Sequence, residues 1–364
     1  MTSISDNGLK TNSNRIDTID VAKGIGLILV IFGHFVTYGG SVSIIVFSFH
    51  MPLFFILSGY LLSNENIFKS WLRRFITITV CFVSFSVLAL IITLLIPSWR
   101  SGFDAKSLFI EMLNMQPESI HVGQLWFLAA LLWGISLFYL LHKLIKRNEL
   151  LCLAICVFIA VDSAFISKSY IGFRIYFFFF KFLQGMFSLL FIEIGYLVKT
   201  YALIHKLMNV NKFILYIFAT ALMLLTIYLS QLNGQVNLLL FDHGNLFIYY
   251  FTSVLGSTSI IIYSCLIKGK IKKILIFYGK NSLALFAVHS LVLPLYARLL
   301  SMITNEPMIP RENISLPYSI IGTAFVLIII VPVAYIYNHS IGKAIECIKQ
   351  KADYLFKDKT IREA

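Results

Sequence analysis

Long apolar runs recur along the chain and are separated by short polar segments. A backbone in lipid satisfies its polar groups by forming a helix, and about 20 mostly apolar residues are needed to cross a bilayer. The runs therefore predict an all-α fold, a polytopic transmembrane bundle of about ten helices. The predicted spans are 21–38, 44–62, 76–96, 124–141, 150–167, 175–198, 212–230, 246–267, 274–300 and 318–338.

The composition agrees with a membrane location. Hydrophobic residues make up 59% of the 364 residues and charged residues 13%, with a mean hydropathy of +0.84. A soluble domain has about a quarter of its residues charged, so a water-soluble fold could not bury this much apolar surface. The five cysteines form no CxxC pair, and the sequence predicts neither a disulfide framework nor a metal site.

The distribution of charge predicts an orientation. The formal net charge is +13, but the basic residues are scattered between apolar runs, so nucleic acid is not an expected partner. Most of the 30 lysines and arginines lie before the first span, after every second span and after the last one. The positive-inside rule then places both termini in the cytoplasm. The first run lacks a small-residue cleavage site and is interpreted as a retained anchor.

The first span carries ionisable residues that a bilayer tolerates poorly. Lys23 and His34 are eleven positions apart, close to three helical turns, so both are predicted on one helix face about 16 Å apart. Asp20 lies one turn before Lys23 and can pair with it. Charged groups inside a membrane are functional candidates by default. The alternatives are a lysine that snorkels to the cytoplasmic boundary and a histidine that links helices by a hydrogen bond.

The second span opens with His50-Met51-Pro52. Proline is tolerated in the first turn of a helix, so His50 is predicted just at the outer mouth. Ser58 and Gly59 form a small pair near mid-depth, and such pairs commonly pack helices.

Arg73 and Arg74 follow the second span at the predicted cytoplasmic surface. Adjacent arginines there commonly set topology or contact lipid head groups, and they are also suited to holding the phosphates of a cytosolic cofactor. At the outer start of the fourth span, His121, Gln124 and Trp126 cluster, where a tryptophan is normally an interfacial anchor.

These residues together resemble the membrane-bound acyltransferase-3 family, and most closely its fucose O-acetylase-like branch of bacterial surface-glycan O-acetyltransferases. The resemblance implies transfer of acetyl from cytosolic acetyl-CoA to a hydroxyl of a surface polysaccharide or its lipid-linked precursor. The residues that carry it are Asp20 and Lys23 with His34, His50-Met51-Pro52, Ser58-Gly59-Tyr60, Arg73-Arg74, Leu125-Trp126-Phe127-Leu128 and Ser282 with His289.

The sequence departs from the family pattern at two places. Lys23 stands where the family more often has arginine, and lysine lacks the bidentate fork of a guanidinium. The acidic residue that longer members carry in the fourth-span motif is absent from Gln124-Leu125-Trp126. No catalytic carboxylate is therefore assigned there.

Acyl transfer to an alcohol needs a base, a donor to the developing oxyanion and a site that excludes water. His34 is the predicted general base because a neutral imidazole suits that role near pH 7. His50 is predicted to orient the acceptor, and Ser58 to hydrogen-bond the thioester or the transition state. The predicted residues for the acetyl-CoA donor are Asp20, Lys23, Arg73 and Arg74.

The resulting organisation is a cytoplasmic leader over 1–20, a transmembrane acyltransferase domain over 21–338 and a basic cytoplasmic tail over 339–364. The expected location is the bacterial inner membrane, with membrane lipids as further partners. A rival function is a proton-coupled transporter or flippase whose ionisable residues form a relay. A third is a structural partner in a glycan-assembly complex. The residues of the possible relay are Asp20, Lys23, His34, Glu193 and His289.

Overall fold

The computed structural model describes residues 7–63, 66–101, 103–115, 117–145, 148–169, 177–304 and 315–362, with side chains from 17 to 353 except 168–178. Within these ranges every regular element is a helix, and the one extended contact is an isolated bridge between Asn237 and Asp242. The predicted leader, the segment 301–317 between the last two predicted spans and the basic tail lie partly outside the described residues.

The helices follow one another with short connections. In chain order they are α1 (Asn7–Gly33), α2 (Ser41–Tyr60), α3 (Ile67–Leu95), α4 (Pro97–Arg100), α5 (Ala105–Leu113), α6 (Trp126–Leu144), α7 (Glu149–Ser169), α8 (Phe177–Thr200), α9 (Leu203–Met208), α10 (Lys212–Asn233), α11 (Leu246–Leu266), α12 (Gly269–Lys280), α13 (Ser282–Thr304), α14 (Leu316–Ile329), α15 (Val331–His339) and α16 (Ile341–Arg362).

Nine helical segments among the described residues are long and apolar enough to cross a membrane. They confirm an all-α polytopic bundle. The first predicted span, 21–38, is not one of the nine, and α1 ends at Gly33. The last of the nine extends from Leu316 to Asp353 and so includes α14, α15 and the described part of α16.

Two predicted spans are interrupted in the structure. The run 274–300 is divided at Asn281, whose side-chain amide donates to the carbonyl of Phe277 at 2.7 Å and satisfies the last turn of α12. The run 318–338 breaks at Ile330, because Pro332 lies in the first turn of α15 and cannot continue the preceding helix. Apolar patterning continues through both breaks, which is why it predicted single spans.

The chain forms two compact units. The first consists of Met1–Leu61, Leu190–Ser282 and Leu299–Ala324, and the second of Leu62–Leu189, Leu283–Arg298 and Phe325–Ala364. In the first unit α1 packs on α12, and α2 packs on α1 and α11. In the second unit α3 packs on α6 and α16.

Glycines permit the closest approach of α1 and α12 in the first unit. A Cβ atom at Gly24 would overlap the carbonyl oxygen of Leu275, and one at Gly279 would overlap that of Asp20. The backbones therefore meet directly at two levels one turn apart. This contact fixes the start of the buried part of α1, where Asp20 and Lys23 lie.

A proline in the middle of α2 leaves one carbonyl without its helical partner. Pro52 has no N–H to donate to Ser48, four residues earlier, and interior prolines break many helices for that reason. In the first unit the hydroxyl of Ser253 on α11 donates to this same carbonyl at 2.7 Å. Gly256, one turn later, leaves room for the ring of Phe49. The neighbouring helix thus replaces the lost hydrogen bond.

We expect Ser253→Ala to lower the free energy of unfolding by about 1–3 kcal/mol, because the buried carbonyl of Ser48 would lose its donor. Thermal unfolding of the purified protein in detergent measures the change. The matched control is Ser264→Ala, since the hydroxyl of Ser264 donates to Ile260 within its own helix. Equal losses in the two variants would contradict the special role of Ser253.

Candidate functional site

The first unit contains five of the seven predicted site residues. Asp20 is 7% exposed, and Lys23 is half-buried one turn along the same helix. The ammonium groups of Lys23 and Lys280 are the cations whose charges act on the carboxylate of Asp20. α12 therefore adds a second cation near Asp20, and the pairing of Asp20 with Lys23 stays a prediction.

His34 lies outside the helix in which it was predicted. α1 ends at Gly33, and the imidazole follows it in an exposed turn whose backbone N–H donates to Ile31 at 3.1 Å. The prediction of a buried position within the first span is wrong. The apolar pattern continued past Gly33 through Phe35 and Val36, which are buried without being helical.

His50 lies deeper in its helix than the predicted position at the outer mouth of the span. It lies midway along α2, and the predicted place of Pro52 in the first turn is wrong because α2 begins at Ser41. The side chain is 7% exposed, and its Nδ1–H donates to the carbonyl of Val46 at 2.8 Å. Because a carbonyl only accepts, the neutral ring then carries its lone pair on Nε2.

The ends of α1 and α2 meet at Phe47. A Cβ atom at Gly33 would lie 3.2 Å from the ring of Phe47, and that ring meets the imidazole of His50 edge-on at 5.0 Å between centroids. His34 directly follows Gly33. His34, directly after α1, and His50, within α2, therefore lie in the same unit, with the ring of Phe47 between the end of α1 and the imidazole of His50.

Ser58 and Gly59 lie where α2 crosses α8. A Cβ atom at Gly59 would overlap the carbonyl oxygen of Ile192, and one at Gly195 would overlap that of Ile56. The glycines allow a direct backbone contact, as the packing interpretation of the pair predicted. Ser58 itself is half-buried.

Arg73 and Arg74 belong to the second unit, on α3. The guanidinium of Arg73 pairs with Asp353 at 3.3 Å and with Glu346 at 3.7 Å, both on α16. Asp353 also pairs with Lys69 at 3.2 Å, one turn before Arg73. Arg74 lies within electrostatic reach of the phenol of Tyr139.

A comparison with protein-family models decides the family. The model described as an acyltransferase domain, Acyl_transf_3, matches residues 16–337. The chain belongs to this acyltransferase family. No curated protein and no solved structure gives a significant match.

In the second unit, side-chain hydrogen bonds join the segment that precedes α6 to α13. Ser290 donates to the carbonyl of His121 at 2.6 Å, and Gln124 donates to that of Ala287 at 2.8 Å. Hydrogen bonds from Ser107 hold the pKa of Asp104 below its usual value. These contacts tie the segment before α6 to α13.

Three residues of the acyltransferase were missed by sequence reasoning. Lys69 precedes Arg73 by four positions, and that spacing on a helix could have identified it. Glu346 and Asp353 lie in a basic segment more than 270 positions away along the chain, and nothing in the sequence indicates their pairing with α3. Arg73, which was predicted to bind a cofactor, thus already has two carboxylate partners.

Proposed function

We propose that this membrane acyltransferase moves acetyl from cytosolic acetyl-CoA to a sugar hydroxyl of a bacterial cell-surface polysaccharide or of its lipid-linked precursor. The family supplies acyl transfer, and the resemblance to the fucose O-acetylase-like branch favours acetyl and a sugar. The inner membrane is the proposed location, with the donor on the cytoplasmic side and the acceptor on the other.

The observation that carries the chemical proposal is the state of His50. Its ring is buried, and the hydrogen bond from Nδ1 to Val46 orients the unprotonated Nε2 of the neutral form. A general base needs a neutral imidazole whose free nitrogen faces the reacting hydroxyl. These properties favour His50 as the base.

His34 was the base favoured by the sequence, and its exposed position after α1 suits it better to meeting the acceptor. We therefore propose that the two histidines exchange the roles that sequence reasoning assigned to them. The variants described in the Discussion distinguish the two assignments. Ser58 is proposed as the hydrogen-bond donor to the thioester oxygen.

The proposed reaction is a direct transfer. The acceptor hydroxyl loses its proton to the imidazole while its oxygen forms a bond to the acetyl carbon. The carbon–sulfur bond of the thioester then breaks, and the leaving CoA thiolate takes the proton back from the imidazolium. Donors of hydrogen bonds lower the barrier by stabilising the oxyanion between the two steps.

For the donor we propose Arg73 and Arg74 as ligands of the CoA phosphates, since guanidinium groups match phosphate oxygens in charge and geometry. Asp20 and Lys23 are proposed to assist donor binding near the start of α1.

Transfer of label tests the proposed function. Membranes that contain the protein are incubated with acetyl-CoA labelled in the acetyl group, and surface glycan is extracted and counted. We expect label in the glycan that mild alkali releases, as an ester requires. Label that stays in the donor, together with uptake of an unmodified glycan intermediate driven by a pH gradient, would support the transporter instead.

A further inference from the structure

The basic face of α3 is occupied by α16 within the second unit. One oxygen of Asp353, Oδ2, lies 3.2 Å from the ammonium of Lys69 and 3.3 Å from the guanidinium of Arg73. Glu346, two turns earlier on α16, reaches the same guanidinium at 3.7 Å. A single carboxylate oxygen therefore bridges two cations, as an oxygen of a bound phosphate commonly does.

The surrounding charge remains positive even with these carboxylates in place. Lys349 of α16 lies close enough to Arg73 and Arg74 for their charges to interact. The cations Lys69, Arg73, Arg74 and Lys349 outnumber the two carboxylates. An anion of higher charge than a carboxylate would still be attracted to this face.

α16, which supplies the two carboxylates, is separated from α15 by a break in the helix. Tyr337 on α15 is held by the thiol of Cys81 at 3.2 Å and by stacking on Phe85 at 5.8 Å. α15 ends at His339 and α16 begins at Ile341, with Ser340 in a non-helical conformation between them. Bending at Ser340 would let α16 leave α3 while Tyr337 keeps its contacts.

The ion pairs themselves are weak enough to be exchanged. The side chains of Lys69 and Arg73 are 37% and 42% exposed, and that of Glu346 is 53% exposed. Solvent-exposed ion pairs of this kind contribute little to stability. A ligand with several phosphate charges competes easily with them.

We propose that α16 is an autoinhibitory element whose Asp353 and Glu346 carboxylates occupy the phosphate site of Lys69 and Arg73 until the donor displaces them. This inference rests on the proposed function, in which Arg73 binds the phosphates of the donor. It adds that donor binding releases α16, and it adds Lys69 to the donor site.

Affinity for acetyl-CoA, measured by titration of the purified full-length protein in lipid nanodiscs at low salt, tests the proposal. We expect Asp353→Asn to lower the Kd by about three- to fivefold and Glu346→Gln by less, because each removes a weak competing ion pair. The control is Asp242→Asn, which removes a carboxylate in the other unit that accepts a hydrogen bond from the backbone N–H of Gly244 at 3.4 Å. It should leave the Kd unchanged.

A second measurement follows the mobility of α16 in a protein that keeps Asp353 and Glu346. Cys347 is exposed on α16 and accepts a nitroxide label. We expect its electron paramagnetic resonance spectrum to report a more mobile label when acetyl-CoA is added, and less change with dephospho-CoA, which lacks the 3′-phosphate. This readout would not respond if Asp353 had only a structural role.

The outcomes separate this inference from the function on which it rests. If Arg73→Gln leaves the affinity for acetyl-CoA unchanged, the proposed donor site on α3 is wrong. If Arg73→Gln weakens binding but Asp353→Asn does not strengthen it and the label at Cys347 does not respond to the donor, the autoinhibitory role of α16 is wrong while the donor site stands.

Discussion

Replacing His50 with alanine should lower the rate of acetyl transfer by about a hundredfold to ten-thousandfold, the range that general base catalysis contributes. The imidazole is buried in the middle of α2, and its Nδ1 bond to Val46 leaves Nε2 to accept the proton. His34→Ala should have a smaller effect, expressed mainly in the KM for the acceptor, because His34 is exposed after the end of α1.

Initial rates with labelled acetyl-CoA measure both effects, at matched amounts of protein in the membrane. His339→Ala is the control, since the ring of His339 makes the same kind of bond, from Nδ1 to Tyr335 at 2.9 Å, but is exposed. A deep loss in His34→Ala with near-normal transfer in His50→Ala would restore the assignment made from the sequence. Near-normal transfer in both would exclude an imidazole base at either position.

The helices of the fold were largely predictable because a membrane span is a property of a local stretch of sequence. About 20 apolar residues identify a span without reference to the rest of the chain, and α2, α10 and α11 begin and end within a few residues of their predicted bounds. The helix breaks at Asn281 and Ile330 were missed because the apolar pattern continues through them. Pro332 was visible in the run 318–338, and its effect on the helix could have been predicted.

The depth of the two histidines depended on features that are not local. Pro52 was placed in a first turn because that is where its missing N–H costs least. The structure places it in the interior of α2, where Ser253 supplies the missing hydrogen bond from 205 positions along the chain. No spacing rule connects these residues. A helix partner of this kind is recognised only once the packing of α2 and α11 is known.

The partners of the candidate donor residues could not be predicted from the sequence either. Arg73 and Arg74 were chosen for their charge, and charge alone does not show whether a cation already has a partner. The contact with Asp353 joins α3 to α16 across 280 positions. Chemistry that depends on residue type could be predicted from the sequence, whereas occupancy of a site by another part of the chain could not.

The Ser58–Gly59 pair admits two interpretations, one chemical and one structural, and two single variants separate them. Gly59→Ala should lower the free energy of unfolding by about 3 kcal/mol or more, at the upper end of the usual cost of overpacking. The new Cβ atom would overlap the backbone of α8 at Ile192, and a backbone carbonyl cannot move aside as a side chain does. Gly195→Ala should behave alike, because its Cβ atom would overlap α2 at Ile56.

Ser58→Ala adds no atoms at the crossing, so its thermal stability in detergent should stay close to that of the wild type. If Ser58 hydrogen-bonds the reacting thioester, this variant should instead lower the rate of acetyl transfer, since one lost donor to an oxyanion costs about a hundredfold. A stable and fully active Ser58→Ala variant would show that the Ser58–Gly59 pair serves only to pack α2 against α8. A Gly59→Ala variant as stable as the wild type would mean that α2 and α8 are not in direct backbone contact at this level.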